Sequence, residues 1–216
     1  MSKFSLKILP IFVGTLLFAG CGMGGKGGNG SKSQNLSDIS KNLESISSSE
    51  LSSFEEKSLL LIREEEKLAR DVYLYLDAKW GDEVKNFKNI SEAEQIHSDS
   101  VKLLLDRYSL EDPMAENQTL GIFANEELQN LYNELSEKGS KSLVEALIVG
   151  ATIEDLDIYD IETEMENIDN EDILYIYRNL VLGSENHMRA FMKKLEANGG
   201  SYSPQFISSE RFESIF

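Results

Sequence analysis

From Ser52 onward the apolar positions recur every three or four residues, the period of a helix with one buried face; no sustained stretch alternates as a half-buried strand does. Ser53-Phe54-Glu55-Glu56 has the form of a capping box and opens a first helix running to about Lys79. Gly81-Asp82 breaks the pattern, and a second helix continues to about Tyr108. Asp112-Pro113 and Gly121 bracket a loop, after which Asn125 caps a short helix that stops at Gly139. A third long helix opens at Ser142-Leu143-Val144-Glu145 and ends near Ile168, and Asn170 caps a fourth that ends at Gly199-Gly200. The tail from Ser201 carries Tyr202, Phe206, Ile207 and Phe212, which predicts that it packs back on the helices. The expected fold is all-α: a four-helix bundle with an extra short helix in the crossover between helices two and three.

Polar residues interrupt the apolar stripes. Helix one reads Ile62, Glu66, Ala69, Tyr73 and Leu76 along one face, with Glu65 on an overlapping stripe. Helix two reads Phe87, Ile90, Glu94, His97, Val101 and Leu104. Helix three reads Leu147, Gly150, Glu154, Asp157 and Ile161, and helix four Ile176, Leu180, Ser184, His187 and Phe191. Glu94 and His97 are three residues apart and so point the same way. The chain holds only 2 His, and both lie on these stripes. A buried carboxylate without a partner is costly, so acids and imidazoles converging in a core demand cations. Two iron or manganese ions bridged by carboxylates would meet that demand. Each element alone has a plainer reading. Ser91-Glu92-Ala93-Glu94 is itself a capping-box pattern, a single buried His is usually a hydrogen-bonded core residue, and much of Ile153–Asp172 must be solvated surface. Their joint occurrence, one set per helix, favours metal. Asp155, Asp157 and Asp160 lack the spacing and the Gly of an EF-hand calcium loop.

Before Ser52 the pattern changes. Lys3 and Lys7 precede an apolar run, Ile8–Ala19, too short to span a bilayer. It ends in Phe18-Ala19-Gly20-Cys21, which resembles the lipobox of bacterial lipoproteins, with Phe18 where Leu is usual. Residues 1–20 are therefore expected to be a signal peptide, and Cys21 the lipidated new N-terminus of an exported, membrane-anchored protein on the periplasmic side or cell surface. Cys21 is the only cysteine, so no intramolecular disulfide can form. Residues 21–51, rich in Gly, Ser, Asn and Lys, read as a flexible linker to a domain over 52–216.

Composition narrows the partners. The net charge of −17 repels phosphate backbones, so nucleic acid is excluded, whereas metal cations suit such a field. Acidity of this kind also serves solubility alone.

Glu66-Lys67-Leu68-Ala69-Arg70-Asp71-Val72-Tyr73 resembles the first-helix Glu-x-x-Ala-x-x-x-Tyr of ferritins, and Glu94-x-x-His97 their second-helix pair. More closely, the chain resembles the bacterial ferritin-like family catalogued as domain of unknown function 2202. That resemblance rests on Arg63–Tyr73, Val149–Glu154, Asp169–Ile173 and Gly183-Ser184-Glu185-Asn186-His187. It implies a ferritin-like bundle with a two-metal centre, iron first and manganese as the alternative. One position departs from ferritins: Ser184 stands three before His187, where they have Glu, and Glu185 is rotated off that face. With Asp157 in place of the missing acid, the expected metal ligands are Glu66, Glu94, His97, Glu154, Asp157 and His187, with Glu65 a rival for Glu66. Tyr73 is the candidate to assist catalysis, by donating a hydrogen bond or quenching radicals; its plainer role is a core-edge tyrosine. The implied chemistry is oxidation of ferrous iron by oxygen or peroxide, of ferroxidase or peroxidase type. Storage or sensing of metal without turnover, and a metal-free bundle that binds a partner, are the alternatives. Pairing of bundles into a homodimer is left open.

Overall fold

The computed structural model describes residues 35–116 and 118–216. The expected signal peptide and Cys21 lie outside the described residues. Within these limits the chain is all-helical, in the order α1 (Leu36–Glu44), α2 (Ser53–Trp80), α3 (Asn86–Arg107), α4 (Glu126–Gly139), α5 (Leu143–Met165), α6 (Glu171–Ala197) and α7 (Ser209–Glu213).

The four long helices form two hairpins, α2 with α3 and α5 with α6, and α3–α6 and α2–α5 contacts close them into a ring. The short α4 lies in the crossover between α3 and α5 and packs on α2 and α5. Inside the ring are two apolar clusters. One gathers Leu68, Val72, Tyr73, Phe87, Leu147 and Phe191; the other Leu59, Ile62, Val101, Leu104, Ile176 and Leu180. Glu66, Glu94, Ser184 and His187 are buried and fall in sequence between these clusters on their helices, so a polar layer divides the core. The residues predicted to face inward on helices one and four are indeed buried.

Local chemistry explains most helix ends and corrects three expectations. The capping box is shifted by one residue: Ser52 is the N-cap and Glu55 its partner. Glu55 prevails over Glu56 because it also accepts from the backbone and side-chain nitrogens of Asn170, which ties the starts of α2 and α6 together. For the same reason Asn170 does not cap α6 through its side chain, whose oxygen instead accepts from the Ser49 backbone. Asn125 and Ser142 cap α4 and α5 as expected. Part of the segment expected to be flexible linker is helical. Ile39 and Leu43 of α1 bury against the second cluster, and Arg107 donates to the carbonyls of Leu43 and Ile46. Apolar residues spaced along a short amphipathic turn outweighed the Ser-rich composition around them.

The tail packs down, as predicted, through one buried acid. Asp155 accepts from the backbone nitrogens of Gln205, Phe206 and Ile207 and from the Tyr202 hydroxyl. Among the described residues no helix is long and apolar enough to cross a membrane.

Candidate metal centre

Glu94 is the hub. It is fully buried in the middle of α3, eight residues into a helix that already starts at Asn86, so the capping alternative for it is excluded. Its Oε2 lies 2.7 Å from Nδ1 of His97, and its Oε1 lies 2.8 Å from Nδ1 of His187. A second acid approaches the same nitrogen of each imidazole: Glu66 Oε2 is 3.4 Å from His97 Nδ1, and Glu154 Oε2 is 3.5 Å from His187 Nδ1. The two rings stack with centroids 5.3 Å apart. Two half-sites result, Glu66–His97 and Glu154–His187, sharing Glu94. The resemblance is one of helix pairs: α2 and α3 supply one half, α5 and α6 the other.

Both Glu94 oxygens, both histidine Nδ1 atoms, Glu66 Oε2, Glu154 Oε2 and Asp157 Oδ2 are buried and have no hydrogen-bond partner of proper geometry. Buried polar atoms are nearly always satisfied, so this concentration of orphans is a strong departure from a normal core. Oxygens and nitrogens that converge in this way offer donor atoms that could hold a cation. Glu94, His97 and His187 each offer an atom within 4.8 Å of the others, a candidate three-residue metal site.

Tyr73 of α2 is fully buried and donates to Glu154 Oε1 at 2.5 Å and to the Gly150 carbonyl at 3.3 Å. Burial, then Glu154 and Glu94, push its phenol pKa well up, so it remains a donor. Burial drives Asp157 well up, reinforced by Glu66, Glu154 and Glu94. Burial likewise drives Glu66 up to about 7 although His97 opposes it. Burial resists charge on Glu94 too, but His187 and His97 outweigh it and hold the carboxyl below its ordinary range. Burial lowers the imidazoles, yet their acids win: His97 is raised well above its ordinary value by Glu94 and Glu66, and His187 up to about 9 by Glu94 and Glu154. Without metal the centre therefore holds itself together with protons.

Residues 55–216 match the family described as Uncharacterized protein domain (DUF2202). The chain belongs to this family. This DUF2202 chain is 51% identical over 173 residues to the uncharacterized protein MJ0754 of Methanocaldococcus jannaschii, covering 80% of its own length and 92% of the relative's. The crystal structure of hypothetical protein MJ0754 from Methanococcus jannaschii DSM 2661 superposes with a TM-score of 0.76, covering 79% of this chain and 95% of that one.

In the DUF2202 chain, six sequence-predicted ligands line the polar layer, and Glu66 rather than Glu65 stands beside His97. Glu65 forms no ion pair with either histidine; burial raises its carboxyl well above the ordinary range, and the nearby acids Asp160 and Glu164 add to that. Ser184 is fully buried and bonds back to the Leu180 carbonyl, so it brings no charge to the centre. Glu185 points away, paired with Arg211 at 2.6 Å. Gly150 and Gly183 stand in the stripe and motif read from the sequence, but their close packing was not read there. A Cβ on Gly183 would strike the His97 ring, and one on Gly150 would strike the Phe191 ring that packs on Tyr73. Interior helical glycine costs about 1 kcal/mol against alanine, and that cost was the available signal of a close approach.

Proposed function

We propose that this domain is a ferritin-like bundle holding two divalent ions, iron first and manganese as the alternative, and that it oxidises ferrous iron with oxygen or peroxide. The observation that carries the reading is Glu94, with one oxygen turned to each imidazole and neither oxygen hydrogen-bonded. The donor set fits. Glu66, Glu94, Glu154 and Asp157 carry four negative charges when ionised, which balances two divalent cations, and carboxylate with imidazole suits iron and manganese. Glu66 and His97 would hold one ion and Glu154 and His187 the other, with Glu94 between them and Asp157 supplying the acid that Ser184 lacks. Bound there, the ions would supply the redox chemistry.

The protein's own residues do the rest. Loading requires both imidazoles to give up protons, and the acids lying beside them hold those protons until metal arrives. Tyr73 fixes the orientation of Glu154 and keeps a donor hydroxyl at the edge of the centre. Tyr73, Phe87 and Phe191 form an aromatic wall on that side that excludes water. Metal analysis of the purified chain after ferrous loading should give two ions per chain, followed by oxygen or peroxide consumption. Two ions without consumption would leave a storage or sensing module, and no bound ion would leave a structural bundle.

Residues 1–21 support a companion proposal, that the domain is exported and anchored by lipid on Cys21. Labelled fatty acid should enter the wild type and not Cys21→Ala.

A further inference from the structure

Gly183 sits on α6, four residues before His187, so the two share one face of the helix. The His97 ring of α3 lies against that face. It stacks on the His187 ring, with centroids 5.3 Å and planes 27° apart. One edge of the ring meets the glycine: a Cβ built on Gly183 would stand 2.3 Å from Nε2 and 2.4 Å from Cε1 of His97. The other nitrogen of the ring, Nδ1, lies 2.7 Å from Glu94 Oε2 and 3.4 Å from Glu66 Oε2. Non-bonded heavy atoms settle about 3.5–4.0 Å apart, so a methyl group at residue 183 would drive the ring back by about 1 Å. What that methyl strikes is the tip of a side chain rather than backbone, so the ring yields first. The helices are held independently, because Asn86 donates to the Ala190 carbonyl at one end of the α3–α6 seam and Arg107 pairs with Asp172 at the other.

We propose that Gly183 is a positioning residue: by carrying no side chain it lets the His97 ring seat with Nδ1 turned to Glu94 and Glu66, and so sets the Glu66–His97 half of the centre without touching an ion. Functional groups must be held within about 0.5 Å of their working geometry, and the retreat a methyl would force is twice that. Contacts that orient a metal-binding imidazole are worth about 10–100-fold in affinity. The effect is confined to one half. His187 reaches Glu94 Oε1 and Glu154 Oε2 from α6 itself, so its geometry does not depend on the space at residue 183. The consequence for metal rests on the two-metal reading; the seating of the ring does not.

The test is Gly183→Ala in the full chain, alone and combined with His97→Ala. It is read by equilibrium dialysis against Mn²⁺, by thermal melting, and by NMR of the metal-free protein labelled at histidine. The chain has 2 His, so His97→Ala assigns both sets of ring signals. Gly183→Ala should keep its helical signal, bind one ion about 10–100-fold more weakly, leave the other unchanged and move the His97 ring signals. It should also melt below the wild type. On the His97→Ala background no ring stands in the way. There the same substitution should cost no further metal and should raise the melting temperature, since alanine is the better helix former. A glycine that serves helix packing alone would lower stability equally in both backgrounds and leave both affinities and the ring signals as they were; that result overturns the proposal. Should Gly183→Ala misfold, recovery of the fold in the double variant would support the ring contact, and continued misfolding would overturn it. A wild type that binds no ion, with His97 signals moved by Gly183→Ala, would overturn the two-metal centre and leave the seating of the ring standing.

Discussion

Helix α2 buries charge on two faces, and the two are built differently. On one, Arg63 grips both oxygens of Asp112 at 3.2 and 3.0 Å. Nearby, Lys67 donates to Asp71 and to the Thr119 and Ile122 carbonyls, and Arg70 and the Gly121 backbone also donate to Asp71. Every charge there meets a partner supplied by the chain, and the network pins the loop between α3 and α4 onto α2. On the other face Glu66 stands beside His97, both Glu65 and Glu66 carry orphaned atoms, and among the described residues no Lys or Arg forms an ion pair with either acid. Burial of charge marks neither face as functional, since both are buried. Imbalance does: the first cluster closes its own electrostatics, whereas the second gathers more acids than the chain's own cations answer, which is the arrangement the proposed metals would balance.

The contrast can be broken most severely at its hubs. Glu94→Ala removes the acid shared by both half-sites, and both tight metals should be lost by elemental analysis while the helical signal survives. A normal two-metal load would end the hub argument. Asp71→Ala should do the opposite. Leaving Lys67 and Arg70 without their buried acid should cost about 3–5 kcal/mol in urea unfolding of the metal-free protein, with unchanged metal stoichiometry in the folded fraction.

Smaller effects sharpen the division. His97→Ala and His187→Ala should each weaken one ion and spare the other; loss of both ions in either variant would show that the halves are not separable. Asp157→Asn should cost metal yet raise the stability of the metal-free protein, because it removes a buried carboxyl with no cation beside it.

Acidity reads the same imbalance. Glu66 is pushed from 4.5 up to about 7, so its burial penalises the folded state progressively as pH rises through that interval. His187 is raised from 6.5 to about 9, so its stabilisation is full below 6.5 and lost as pH rises through 9. Both act in one direction. The melting temperature of the metal-free protein should fall from about pH 5 to about pH 9, and bound metal should flatten the slope. A rising curve for the metal-free protein would contradict the arrangement of charges described above. The smallest expected effect is Glu185→Ala, which removes a partner of Arg211 and should leave metal content unchanged.

Much of this was legible in the chain. Helical periodicity located α2 to α6 to within a few residues, because one face of each must be apolar whatever its neighbours are. The same periodicity brought Glu66, Glu94, His97, Glu154, Asp157 and His187 inward, since a side chain's direction along a helix follows from its register alone. The α1 helix was hidden in a segment of low hydrophobicity, where only packing of Ile39 and Leu43 into the second cluster, against α3 and α6, makes it worth forming. Glu65 and Glu66 could not be separated from sequence either. They are about 100° apart on one helix, and both directions are buried.

Register, and hence the inward set of acids and histidines, belongs to the sequence by itself. Which of them meet was decided only by tertiary structure. Helix packing set Glu66 beside His97, gave each oxygen of Glu94 its own imidazole, and chose Glu55 over Glu56 as the capping acid. The reason is physical: a helix sets the direction of a side chain, but distance between two helices depends on what lies between them. At Gly183 that is no more than a hydrogen atom, and it lets α6 close on the His97 ring.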